Sequence, residues 1–196
     1  MISNDPKNQI GWRVEFRPIE LQFTDFENSA FASIIILLTR TITALKLNFL
    51  IGTSKVAENM ERAHKRNACL AEKFFFRQNV TDTEDCQLAE LTINEIFNGN
   101  GSFKGLLYYV NEYLKTMKLS DETRVKIESY LNLFRQRACG AFKTPATWMR
   151  NFVKKHPKYE QDSRINEEIN YDMMRNIYRM FDKDILFDSE EFEEKK

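Results

Sequence analysis

From Gly11 the chain reads GWRVEFRPIELQFTDFEN, with Trp12, Val14 and Phe16 in strict alternation with Arg13, Glu15 and Arg17. Strand side chains point alternately to two faces, so the pattern predicts a β-strand with one apolar and one charged face, interrupted at Pro18. Beyond the proline the odd-numbered positions become Ile19, Leu21 and Phe23. The face that begins charged therefore continues apolar, and the charges are expected at the rim of a covered sheet. Thr24 and Glu27 then have the spacing of a capping box, which starts a helix. The apolar residues that follow are dense on nearly every side, which predicts an enclosed helix over about Asp25 to Leu47.

Charged and apolar residues recur at helical spacing through Thr53 to Gln78, and VTDTEDCQ, Val80 to Gln87, reads as an exposed acidic turn region. Gly99-Asn100-Gly101 punctuates the chain before GLLYYVNEYLKTM, whose Leu107, Val110, Asn111 and Leu114 form a mostly apolar helical face. A cap at Ser120 or Asp121, an acidic start, a basic end and Gly140 delimit the next helix. Thr144 as N-cap with Pro145 at the first helical position opens another, closed by Pro157. A final helix is expected over about Glu167 to Phe181, followed by an acidic tail. There is no internal repeat. The pattern predicts an α+β chain, predominantly helical, with one or two sheet strands at the N-terminus and then about six helices. It divides into a strand segment (1–23), a helical region (24–187) and the tail (188–196).

The length of 196 residues is that of about one domain and can bury a sizeable core without metals or disulfides. Lys plus Arg and Asp plus Glu number 29 each, so no basic excess points to nucleic acid, and any electrostatic function must be local. Cys69, Cys86 and Cys139 are odd in number, widely spaced and without a CxxC pair, which reads as reduced thiols in a cytoplasmic protein. The first residues lack the basic and apolar regions of a secretory signal. Ala30 to Ile51 approaches the length of a membrane span, but Arg40 and Lys46 interrupt it, so a core helix is expected and no membrane partner.

The strand charges carry the candidate chemistry. An alternating Arg/Glu row is most often a solvated face, but it is also what phosphoryl transfer on a sheet requires. A carboxylate can ligate Mg²⁺ while a guanidinium two residues away neutralises phosphate oxygens. Elsewhere the simpler readings prevail. Lys55, Arg62, Lys65, Arg66 and Lys73 form a basic helix face offset by Glu58, Glu61 and Glu72. His64 and His156 lack metal-ligand spacing. Phe74 to Phe76 read as core, and GNGSFKG, without a following Lys-Ser/Thr, reads as a turn rather than a phosphate loop. The cysteines have no neighbouring base that would mark a nucleophile.

GWRVEFRPIELQFTDFENSAF, LNFLIGTSKVAENMERAHKRNA, RACGAF, WMRNFVKKHPKYEQDSRI and NEEINYDM resemble the C-terminal part of the eukaryotic glutamate-cysteine ligase catalytic subunit, from Gly11 to about Tyr178. The resemblance implies a glutamine synthetase-like fold, in which a curved antiparallel sheet lines a funnel and helices pack outside it. It implies ATP and Mg²⁺ as cofactors, and glutamate and cysteine joined through a γ-glutamyl phosphate in the first step of glutathione synthesis. A regulatory subunit is an implied partner. By resemblance Glu15 is a Mg²⁺ ligand, Arg17 neutralises the transferred phosphoryl group, and Arg13 assists. Trp12, Val14 and Phe16 would face the helical layer. The family's catalytic subunit is several times longer, and its remaining metal carboxylates, glutamate-binding arginine and much of its ATP site have no counterpart here. The chain is thus expected to be a single partial domain, inactive alone and prone to associate. The alternative is a non-catalytic helical module that associates with the full-length ligase or its regulatory subunit; a membrane-associated helical protein ranks last.

Overall fold

A computed structural model describes residues 20–81 and 87–183. The described elements are α1 (Asp25–Leu45), α2 (Thr53–Ala63), α3 (Ala68–Ala71), β1 (Lys73–Arg77), β2 (Leu88–Thr92), α4 (Ile93–Asn98), α5 (Leu106–Lys115), α6 (Asp121–Cys139), α7 (Pro145–Lys155) and α8 (Glu167–Lys183). The chain is predominantly helical with a small antiparallel sheet, as the pattern predicts. The strand expected over 12–17 lies outside the described residues, and the two described strands are internal. They form a hairpin in which Phe75 stands opposite Glu90. Thr53 to Gln78 is thus not helical throughout: it breaks at Asn67, a left-handed residue (φ 58°), and Phe74 to Phe76 extend as β1. Three consecutive aromatics favour a pleated surface on which their rings can pack. Of the expected exposed turn over Val80 to Gln87, residues 82–86 lie outside the described residues, and Val80 is buried rather than exposed.

Helices α1, α6 and α7 start at the expected caps, and α4 starts at a further one, Thr92. Thr24, Thr92, Ser120 and Thr144 each accept a hydrogen bond from the backbone N–H three residues on. Gly140, left-handed at φ 83°, ends α6. Two apolar clusters form the core. One surrounds the hairpin with Leu47, Val80, Leu91, Ile96, Phe103 and Leu106, and Phe76 sits between the rings of Phe49 (5.6 Å) and Phe103 (5.4 Å). The other joins Ile34 of α1 to Leu107, Val110 and Leu114 of α5 and Leu131 of α6. Leu38 and Phe97 pack against both, so the two halves share one interior.

Polar side chains hold the joints. Asn59 of α2 reads the backbone of β1 at two points: its Oδ1 accepts from the Phe75 N–H (2.8 Å) and its Nδ2 donates to the Phe75 carbonyl (2.9 Å). These bonds satisfy main-chain groups that β2 does not reach. Arg77, nearly buried, donates to the carbonyls of Leu50 (3.1 Å) and Asn79 (3.2 Å), tying the segment after α1 to the hairpin. Between α4 and α5 the chain doubles back so tightly that a Cβ on Gly105 would lie 2.5 Å from the Gly99 nitrogen, and both glycines have positive φ. Asn100 Oδ1 accepts from the N–H groups of Ser102 (3.0 Å) and Phe103 (2.8 Å), so GNGSFKG is a closed turn.

Helix α1 departs from expectation in its cover. Its buried residues are Glu27, Ala30, Ile34 and Thr41, a single face, while Ile36 is exposed. By length and composition it could cross a membrane. The apolar face expected of Ile19, Leu21 and Phe23 is kept only at Phe23, which is half-buried: Leu21 is 84% exposed, whereas Gln22 and Thr24 are buried.

Two predictions follow from these joints. Asn59→Ala leaves the Phe75 N–H and carbonyl without their partner and should lower stability by about 2 kcal/mol, read as a shift in the urea midpoint at constant slope. Glu95 closes the cap of α4. Its carboxyl accepts from the Thr92 N–H (2.8 Å), the Thr92 hydroxyl (3.0 Å) and the Asn100 amide (3.3 Å). These bonds, the backbone one foremost, hold it below its ordinary 4.5. A carboxyl depressed in the folded chain contributes stability above its unfolded value and loses it as pH falls through the folded one. Thermal midpoints should therefore decline below about pH 4.5, and Glu95→Gln should flatten part of that decline.

Candidate functional site

The entry into α1 is built from polar residues. Gln22 is held on all sides: its N–H donates to Asn28 Oδ1 (3.0 Å), its carbonyl accepts from Asn28 Nδ2 (3.1 Å), and its own Nε2 donates to the Glu20 carbonyl (3.0 Å). Asn28 Nδ2 also donates to the Thr24 carbonyl (2.8 Å). Thr24 donates its hydroxyl to Glu27 Oε2 (3.2 Å) and accepts from the Glu27 N–H (3.2 Å). The ring of Phe23 meets Trp148 of α7 edge-on at 5.9 Å. This knot begins five positions after Arg17.

Arg137, from the last turn of α6, enters the same knot. Its Nη2 pairs with Glu27 Oε1 and its Nη1 donates to Gln22 Oε1 (3.3 Å). The Glu27 side chain is fully buried and that of Arg137 is 8% exposed. Burial pushes the Glu27 carboxyl above its ordinary value, opposed first by the Arg137 charge and then by Thr24. Burial likewise pulls the guanidinium down, opposed by Glu27. Each charge tolerates its dry surroundings because the other is present. Cys69, at the start of α3, points its thiol at the Arg137 carbonyl (3.9 Å), and burial pushes that thiol up, away from nucleophilic reactivity.

Arg13, Glu15 and Arg17 lie outside the described residues. The other candidates are engaged structurally. The expected basic helix face is divided: Lys55 and Arg62 lie on α2, Lys65 and Arg66 in the turn after it and Lys73 at the start of β1; Lys55 pairs with Glu58 (3.2 Å), Arg62 with Glu58 (2.6 Å) and Glu90 (2.8 Å), and Lys65 with Glu72 (3.1 Å). Lys55 and Arg62 also lie over the Phe75 ring, so this face is spent on holding α2 to the hairpin. His156 lies 3.2 Å from Asp172 through Nε2, and its Nδ1 accepts from the Lys158 N–H (3.2 Å), clipping α7 to α8. An open groove of about 440 Å³ between α5 and α6 carries Lys115 already paired with Glu112 (2.6 Å). Among the described residues no three His, Cys, Asp or Glu side chains form a metal-binding group. Cys86 falls outside them, and Cys139 is exposed.

Sequence reasoning saw Glu27 only as part of a cap and gave Arg137 no role. The signal was present: Glu27, Ala30 and Ile34 share one helical face, and a carboxylate on an apolar face requires a buried cation.

Comparison with known proteins identifies the family to which this helical layer belongs. The family described as glutamate-cysteine ligase matches residues 3–180. The chain is 45% identical over 187 residues to the glutamate-cysteine ligase of Schizosaccharomyces pombe, covering 91% of this chain and 28% of the relative. It is 43% identical over 196 residues to the mouse glutamate-cysteine ligase catalytic subunit (91% and 31%) and 43% identical over 176 residues to the Dictyostelium discoideum enzyme (87% and 28%). The chain belongs to the glutamate-cysteine ligase family. It spans less than a third of the length of these relatives.

Removing one member of the buried pair strands the other. Arg137→Ala should cost about 4 kcal/mol of stability, whereas the joint replacement Arg137→Met with Glu27→Leu should recover most of it. Chemical denaturation of the three chains measures the difference.

Proposed function

We propose that this chain contributes to the ATP-dependent joining of glutamate, through its γ-carboxylate, to cysteine, the first step of glutathione synthesis in the cytoplasm. The observation that carries the reading is the family match over residues 3–180, which includes the Arg13-Glu15-Arg17 row. In this reading Arg17 neutralises the charge that develops on the transferred phosphoryl group and on the γ-glutamyl phosphate, with Arg13 beside it. A fixed cation in that role typically supplies about 3 kcal/mol. Glu15 is the residue of this chain that would hold Mg²⁺; the metal, when bound, offsets phosphate charge. A single carboxylate does not make a site, and the described residues add no metal-binding group. The chain therefore acts as one part of a site completed by further carboxylates and by glutamate- and ATP-binding groups. A regulatory subunit is a partner of the assembled enzyme.

One observation favours a second reading, a helical module that docks without chemistry of its own. Tyr171, Met174, Tyr178 and Phe181 are exposed on α8 at intervals of three and four, while Ile169 and Met180 of the same helix are buried. A second apolar stripe is a contact surface for another protein layer.

The 196-residue chain, purified, should form no γ-glutamylcysteine from glutamate, cysteine and ATP. Set into the S. pombe enzyme in place of the matching segment, it should support turnover. There Glu15→Gln should reduce kcat by roughly 100-fold with assembly unchanged. Unaltered turnover in that variant would remove the metal role, and turnover by the isolated chain would remove the partial-site reading.

A further inference from the structure

We propose that Asn100 is a self-modification site: the Gly101 backbone nitrogen attacks its side-chain amide to form a succinimide, which water opens to aspartate and isoaspartate, while Asn98 in the neighbouring Asn98-Gly99 pair is spared. The reaction is a property of the turn between α4 and α5 and is independent of the ligase reading. In the first step the Gly101 nitrogen gives up its proton and bonds to Asn100 Cγ, the Cγ–Nδ2 bond breaks, and the amide nitrogen takes up the proton and leaves as ammonia. In the second, water adds to either carbonyl of the ring and opens it. The net change is amide plus water to carboxylate plus ammonium.

Three observations separate the two Asn-Gly pairs. The first is the state of the nucleophile. The Gly99 N–H donates to the Glu95 carbonyl (3.0 Å) at the end of α4, whereas the Gly101 N–H donates to no acceptor among the described residues. A backbone nitrogen attacks only once its proton is removed, and a hydrogen-bonded proton must first be freed. The second is the carbonyl. Negative charge develops on the side-chain oxygen as the nitrogen adds, and donors about 2.7–3.1 Å from that oxygen stabilise it. Asn100 Oδ1 accepts from the Ser102 N–H (3.0 Å), the Ser102 hydroxyl (2.9 Å) and the Phe103 N–H (2.8 Å). A side-chain oxygen that reaches the N–H two residues on also folds its Cγ back toward the nitrogen between them. Asn98 Oδ1, by contrast, is buried with no donor, and its Nδ2 is tied to Asn94 Oδ1 (2.6 Å) and the Arg135 carbonyl (3.2 Å). The third is room to react. Gly101 is exposed, with open space where a Cβ would be. A Cβ on Gly99 would lie 2.6 Å from the Lys104 carbonyl oxygen, so Gly99 cannot shift without parting the main chain of the turn.

The product alters the start of α4 as well as the turn. Asn100 Nδ2 donates to Glu95 Oε1 (3.3 Å), and Glu95 closes the capping box with Thr92. A carboxylate in place of that amide removes the donor and sets two like charges side by side, so the modified chain should melt earlier. The site itself is tested by incubating the 196-residue chain at neutral pH and physiological temperature and digesting it. Tandem mass spectrometry assigns the amide-to-acid mass gain to one asparagine or the other, and chromatography separates aspartate from isoaspartate. In buffer Asn100 should convert at least about tenfold faster than Asn98, whose nucleophile is bonded and whose carbonyl is unassisted. In urea, where the turn is gone, the two rates should converge. Ser102→Ala, an exposed change that removes one of the three donors, should slow Asn100 about threefold, the worth of one neutral hydrogen bond, and leave Asn98 as it was. Comparable rates at the two sites in buffer overturn the proposal. So does slower conversion of Asn100 in buffer than in urea, which would make the turn a protection, and so does an unchanged rate in Ser102→Ala.

Discussion

Glu27 is wholly removed from water and Arg137 nearly so, and neither charge could be kept there alone. Desolvating a carboxylate or a guanidinium costs several kcal/mol even after the protein relaxes. The opposite charge at contact, with Thr24 and Gln22 supplying the remaining hydrogen bonds, offsets that cost. The geometry this demands reaches well beyond the pair. It brings the last turn of α6 against the first turn of α1 and fixes the backbone that precedes α1. Around it the apolar core adds cohesion but less direction. Phe26 rests on Tyr130 at 5.2 Å and Phe31 on Phe134 at 4.7 Å, tilted ring contacts that accept some slippage.

The same division of labour recurs through the molecule. Apolar clusters join α1, α5, α6 and the hairpin into one interior, and side chains that read backbone atoms set the register of each joint. Asn59 does so for α2 on β1, Arg77 for the segment after α1, and Asn98 for α4 on α6, where its Nδ2 donates to the Arg135 carbonyl at 3.2 Å. Such bonds add little net free energy while made and cost a good deal when broken, because the orphaned backbone group stays dry. They specify arrangement more than they add stability.

Helix starts at Thr24, Ser120 and Thr144 with Pro145, and the helix end at Gly140, were legible because their signals are local and act on backbone groups within four residues. The hairpin was not, because KFFFR and LAELT are short runs whose periodicity does not separate strand from helix, and their pairing crosses a connection of about ten residues. The Phe74-Phe75-Phe76 run held a β signal that was read only as core. The exposure of Leu21 beside buried Gln22 and Thr24 has a different cause. Alternation was carried past Pro18 as though the strand continued, but the capping turn of α1 imposes its own geometry there and turns Gln22 and Thr24 inward. The family was legible because the W-R-V-E-F-R-P and T-D-F-E-N blocks are specific in a way that composition is not. The partner of Glu27 lies 110 positions away, and local reading could establish that one was required but not which.

Cover is where the molecule departs most from a self-contained domain. Helix α1 buries one face, and α8 carries two apolar stripes, of which Ile169 and Met180 are buried while Tyr171, Met174, Tyr178 and Phe181 face solvent. Aromatic and methionine side chains at helical contact spacing lose favourable burial when left in water, and they are what interfaces are enriched in. The chain matches less than a third of each relative's length. Length on that scale is enough to supply another layer for these faces.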